Sequence, residues 1–158
     1  MSVKPRIIHN VIRSISIVLF FVAMTQVCFD TESAPGESGE GAALVISGFF
    51  GFFSSITGLT WLANPALWYS WVQITRKPKH SLLASMLAII ISLSFLLCND
   101  VIINEGGGTS AITDVRIGYW LWLSSIGTML IGNLIIKYFV PADSPKEEPA
   151  LGLQKFII

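Results

Sequence analysis

The chain has 158 residues, of which 53 % are hydrophobic and 13 % charged, and its mean hydropathy is +0.68. Soluble domains carry roughly a quarter of their residues as charges, so this composition excludes an ordinary soluble enzyme and points to an all-α integral membrane protein. Ten Lys and Arg balance ten Asp and Glu, and no basic patch is interleaved with aromatics, which leaves nucleic acid out of the expected partners.

The first apolar run, Ser14 to Phe29, follows Lys4, Arg6, His9 and Arg13 and precedes Asp30 and Glu32. A basic leader before an apolar run also fits a secretory signal. The stretch Ala23-Met24-Thr25-Gln26-Val27-Cys28-Phe29 has no small-x-small cleavage site, so a retained span over about 12–29 is expected. The segment 30–41, DTESAPGESGEG, is acidic and rich in Ser, Gly and Pro, which predicts a flexible aqueous loop.

The apolar stretch from Ala42 to Ile74 exceeds the ~20 residues that cross a bilayer as one helix. It is read as a short interfacial or re-entrant element over 42–54, with phenylalanines around Gly48 and Gly51, followed by a span over 55–74. Pro65 provides a place for irregularity, because its ring clashes with the carbonyl of Trp61 and it lacks an N–H. Asn64 and Thr60 bring polar groups to the same depth, and freed carbonyls there need partners. The tripeptide Asn64-Pro65-Ala66 resembles the signature of water and glycerol channels, but a single copy in a chain this short does not carry that fold. Trp68, Tyr69 and Trp71 precede Arg76, Lys77 and Lys79 as an aromatic belt beside a basic loop.

A third span is predicted over 81–98, where Ala84, Ala88 and Ser92 form a stripe of small side chains suited to close helix approach. Asn99 to Val115, with Gly106-Gly107-Gly108 among acids, reads as a linker and not a phosphate loop, since no Lys-Ser/Thr follows the glycines. The fourth span covers 117–139, with Thr128 and Gly132 as a second small pair and Asn133 as a buried amide. Pro141 ends it. The segment 141–158 is a tail whose apolar end, Leu151, Leu153 and Phe156 to Ile158, could dock on a membrane or a partner.

The expectation is thus one domain, 1–140, folded as a four-helix transmembrane bundle. Basic residues gather in the leader, the middle loop and the end of the fourth span, which places both termini in the cytoplasm of a bacterial inner membrane. Cys28 and Cys98 then both lie at the outer interface, where a disulfide could form, although diagonal placement of the first and third spans opposes the geometry it needs. His9 and His80 are read as exposed interfacial side chains. Metal-ligand spacing, a catalytic constellation and cofactor motifs are absent from the sequence, and no Asp, Glu or Arg falls at central depth. The functional expectation is a non-enzymatic membrane component that assembles with itself or a membrane protein partner in the lipid bilayer. The alternative is an oligomeric channel or carrier subunit whose lining includes Asn64, Thr60 and the glycines before them.

Overall fold

The computed structural model describes residues 3–35, 39–51, 53, 55–103 and 107–139; the tail and its docking residues lie outside them. Three of its helices are long and apolar enough to cross a membrane, within α1 (Val3–Met24), α5 (Pro78–Ser94) with its 3-10 continuation Phe95–Leu97, and α6 (Ile117–Phe139). Helix α1 starts and ends earlier than the span expected at 12–29, because the chain turns at Thr25 and Phe29 enters a strand. Pro78 occupies the first turn of α5, where its missing N–H removes no helical bond.

The long stretch from Ala42 is broken into short helices, none of them among the three long and apolar enough to cross a membrane. Its first part is helix α2 (Gly41–Gly51), and its second runs through α3 (Ile56–Leu59), a 3-10 turn Thr60–Leu62 and α4 (Ala63–Gln73). Ser55 caps α3 by accepting from the Gly58 N–H at 2.8 Å. Pro65 sits in the first turn of α4, directly after the tightened turn, so the chain stays helical past it. Helix α2 begins beside the end of α1, where the Gly41 N–H donates to the Gln26 carbonyl at 3.0 Å. The chain returns to the same end of the bundle at Thr57, whose hydroxyl donates to the Asp100 carbonyl at 2.8 Å.

Around the bundle, α1 lies against α6, α6 against α5, and α5 against α4. The helices bury their polar and small residues and expose their large apolar ones. On α5, Ser81, Ser85, Ala88 and Ser92 are buried, whereas Leu83, Met86, Leu87 and Ile90 face outward. This inverted pattern suits a lipid environment, where close packing and interhelical bonds replace the hydrophobic drive. The bonds are present. Ser16 and Ser125 each donate to the other's carbonyl at 2.9 Å, and Ser70 and Ser81 do the same at 3.0 and 2.9 Å. Asn133 donates to the hydroxyls of Ser85 at 3.2 Å and Ser70 at 3.4 Å. Ile12 of α1 packs over Gly132, where a side chain would collide with it. Leu67, Ile74, Ile126 and Met129 fill the interior between these bonds.

One end of the bundle carries a three-stranded antiparallel sheet, which corrects the expectation of two irregular loops. Strands β1 (Phe29–Thr31), β2 (Asp100–Ile102) and β3 (Thr109–Val115) lie in the order β1-β3-β2. Asp30 opposes Asp114, and Val101 opposes Ser110. The reason is local: Val101, Ile102, Thr109, Ile112, Thr113 and Val115 are β-branched, and Gly107, at φ +79°, supplies the left-handed position between β2 and β3. Asp30 is 2 % exposed and is held by Arg116, whose Nε lies 2.6 Å from Oδ2. Arg116 also reaches Asp114 at 3.4 Å. The hydrogen bond to Asp30, reinforced by its charge, raises the Arg116 pKa. Arg116, the one cation at this acidic end among the described residues, therefore neutralises a buried carboxylate.

Backbone contact at the start of α6 gives a test. A Cβ on Gly118 would lie 2.7 Å from the Val27 carbonyl oxygen, whereas one on Gly127 would meet nothing within 4 Å. Gly118→Ala is expected to destabilise the protein by about 1–3 kcal/mol, with Gly127→Ala neutral or slightly stabilising. Reversible unfolding in mild detergent measures both, and equal effects would contradict the close approach.

Candidate ligand cavity

A cavity of about 1000 Å³ lies under α2 at the sheet end, walled by the ends of α1 and α6, the segment 55–64 and the strands. It exists because α1 and α4 do not pack directly along their length. Aromatic side chains bridge them at mid-depth, where Phe20 meets Trp68 and Trp71 edge-on with centroids 6.2 and 5.4 Å apart. The Trp71 indole donates to Ser16 Oγ at 2.8 Å. Above this bridge, α2 roofs the gap. The Trp61 indole donates to the Val45 carbonyl at 2.8 Å, and Gly48 leaves room for its ring.

Most of the lining is apolar, including Phe20, Val45, Phe95, Tyr119 and Trp122, and a few polar groups punctuate it. The Asn64 amide is 4 % exposed. Its Oδ1 accepts from the Trp122 indole at 2.8 Å, which fixes the orientation of the amide, and its Nδ2 has no acceptor among the described residues. Thr60 donates to the Thr57 carbonyl at 2.6 Å, leaving its oxygen lone pairs to accept. The Tyr119 hydroxyl is committed to the Ser92 carbonyl at 3.1 Å. A mostly apolar cavity with one oriented donor can bind an apolar molecule that carries a hydrogen-bond acceptor.

The residues singled out from the sequence separate into two places. Thr60 and Asn64 line the cavity, with Gly41, Gly48 and Gly58 beside them. Asn133 lies deeper, in the polar cluster with Ser70 and Ser85. The stripe Ala84, Ala88 and Ser92 is buried inside the bundle, and Gly132 receives Ile12; both small faces are used within the chain. Thr128 turns its hydroxyl back to the Ser124 carbonyl at 2.8 Å. His9, expected at an exposed interface, is 4 % exposed: it lies seven residues before Ser16, on the α1 face that meets α6. His80 is exposed as expected. The sequence did not signal the pairing of Asn64 with Trp122, since nothing local links positions 58 residues apart.

Cys28 and Cys98 are free thiols. Each turns to a backbone carbonyl of its own segment, Gln26 at 4.0 Å and Ser94 at 3.7 Å, so the bridge considered from the sequence is not formed. Burial pushes the Cys28 thiol up to about 11. Among the described residues no group of three His, Cys, Asp or Glu side chains could hold a metal ion. No family model matches the chain, and searches of curated proteins and of solved structures found no match.

The Cys28 environment predicts its reactivity. Thiolate is the reacting species, so at pH 8 Cys28 is expected to alkylate on the order of a hundredfold more slowly than an unperturbed thiol, with the rate still rising as pH approaches 11. Mass spectrometry of a timed alkylation series reads this. Rapid modification of Cys28 at pH 8 in folded protein would contradict its burial.

Proposed function

We propose that this chain is a non-enzymatic membrane protein that holds an apolar small molecule bearing a hydrogen-bond acceptor in the cavity at the sheet end. The observation that carries the reading is the Asn64 amide, oriented by Trp122 in a largely apolar cavity, with no acceptor for its Nδ2 among the described residues. The groups that reach the cavity are an amide, hydroxyls and a thiol held neutral, which bind and orient but do not exchange protons near neutral pH. Beyond the cavity the interior is filled by Leu67, Ile126 and Met129, each with no exposure, which supports holding a molecule over conducting one.

In this reading the chain crosses the membrane four times, with 56–73 as the segmented second crossing. Basic residues Arg6, Arg13, Arg76, Lys77, Lys79 and Lys137 share one end, and the described acids, Asp30, Glu32, Glu40, Asp100 and Asp114, gather at the sheet end, so the basic end faces the cytoplasm of an inner membrane. The cavity then opens in the outer half. Attachment to a membrane partner or to a second copy is a second reading, favoured by Phe50 and Phe53, which stand 81 % and 84 % exposed near the cavity.

A brominated long-chain fatty acid ester tests the proposal, because bromine in the cavity would quench the tryptophans that line it. Saturable quenching is expected in mild detergent. Asn64→Leu should weaken it about three- to tenfold, the net worth of one hydrogen bond, and Ser47→Phe should block it by occupying the cavity. Quenching that does not saturate, or that is unchanged in Ser47→Phe, would remove the reading.

A further inference from the structure

We infer that the groove between α4 and α5 at the basic end binds one anionic phospholipid, its phosphate held at the 76–80 turn and an acyl chain laid along the groove. The inference rests on the membrane reading above but is independent of the cavity at the sheet end.

The groove encloses about 300 Å³ and is lined by Ala66 and Tyr69 of α4 and by His80, Leu83, Ala84 and Leu87 of α5. Alanines on both helices leave a trough along the seam, and Leu83 and Leu87 form its exposed rim at 66 % and 54 %. From His80 to Leu87 it extends about 10 Å at the helical rise. Its surface is apolar except at the His80 end. There the turn joining the helices presents Arg76, Lys77, Lys79 and His80, all exposed.

Among the described residues that charge has no internal counterpart. The sequence contains no Asp or Glu from Gly41 to Asn99, and among the described residues Arg76, Lys77 and Lys79 make no salt bridge. Arg116, by contrast, is satisfied by Asp30 and Asp114, and Arg13 bonds to Asn10 at 3.1 Å. The N-terminus of α5, whose cap residue Lys77 makes no side-chain bond, adds its partial positive charge at the same place. A basic pocket between spanning helices that continues into an apolar trough matches an anionic headgroup with its chain. A zwitterionic lipid offers the same phosphate together with a cation that the turn repels.

Native mass spectrometry of the full chain in mild detergent tests this, with phosphatidylglycerol, phosphatidylcholine of the same chains, and inorganic phosphate as probes. Phosphatidylglycerol is expected to bind about tenfold more tightly than phosphatidylcholine, and phosphate alone not to saturate. R76Q/K77Q/K79Q should abolish that preference, while R6Q/R13Q/K137Q, matched in charge and in end of the bundle, should keep it. Ala66→Phe and, at the exposed rim, Leu83→Trp should each reduce phosphatidylglycerol binding without shifting the unfolding midpoint. Equal affinity for the two lipids, an equal loss in the matched control, saturation by phosphate alone, or unchanged binding in both groove variants would overturn the site. Release of the wild-type chain from membranes by alkaline wash would overturn the membrane reading itself, a failure that these binding outcomes do not mimic.

Discussion

The reciprocal bond between Ser16 on α1 and Ser125 on α6 governs where the other helices can lie. Each hydroxyl satisfies the other's carbonyl, so the two backbones must approach closely, and Gly132 under Ile12 keeps them close further along, one turn on α1 and two on α6. With its other face α6 binds α4 and α5 through Asn133, Ser70 and Ser85. A helix held in this way on two faces becomes the hub of the bundle. Polar bonds suit that role, since lipid solvates leucine as well as a protein interior does and gives apolar side chains no reason to associate.

That hub leaves α1 and α4 bridged at mid-depth by Phe20 against Trp68 and Trp71, with the Trp71 indole bonded to Ser16. Close helix packing is paid for at one place and relaxed at another, and the relaxed place is the cavity. Its walls are fixed by bonds that run across the fold: Trp122 to Asn64, Trp61 to the Val45 carbonyl, and Thr57 to the Asp100 carbonyl. The sheet adds a rigid rim, because Arg116 ties β1 to the start of α6 through Asp30. The cavity is thus an outcome of the same constraints that hold the helices, and the Asn64 amide that lines it is oriented by a partner that belongs to a different helix.

Much of this was legible in the sequence. Hydropathy and charge located the helical segments, Pro65 with Asn64 marked the irregular second stretch, and the small residues at 84, 88 and 92 marked a packing face. What the sequence did not reveal is who packs on whom. Ala84, Ala88 and Ser92 carry the same signal whether they meet a helix of their own chain or of another, and here they are buried within the bundle. His9 looked interfacial from its basic neighbours, but helical periodicity puts it in line with Ser16 on the buried face. The sheet was hidden because glycines and acids in 99–115 suggested a linker, and because β3 pairs not only with nearby β2 but also with β1, some eighty residues earlier in the chain. The cavity had no local signature at all, since it is made of gaps between elements.

A double-mutant cycle on Ser16→Ala and Ser125→Ala, read by reversible unfolding in mild detergent, measures the organising contact directly. A favourable coupling energy of about 0.6–1.7 kcal/mol is expected, the range found for hydrogen bonds between spanning helices. Strictly additive single effects, with no coupling, would contradict the arrangement of α1 on α6 from which the cavity follows.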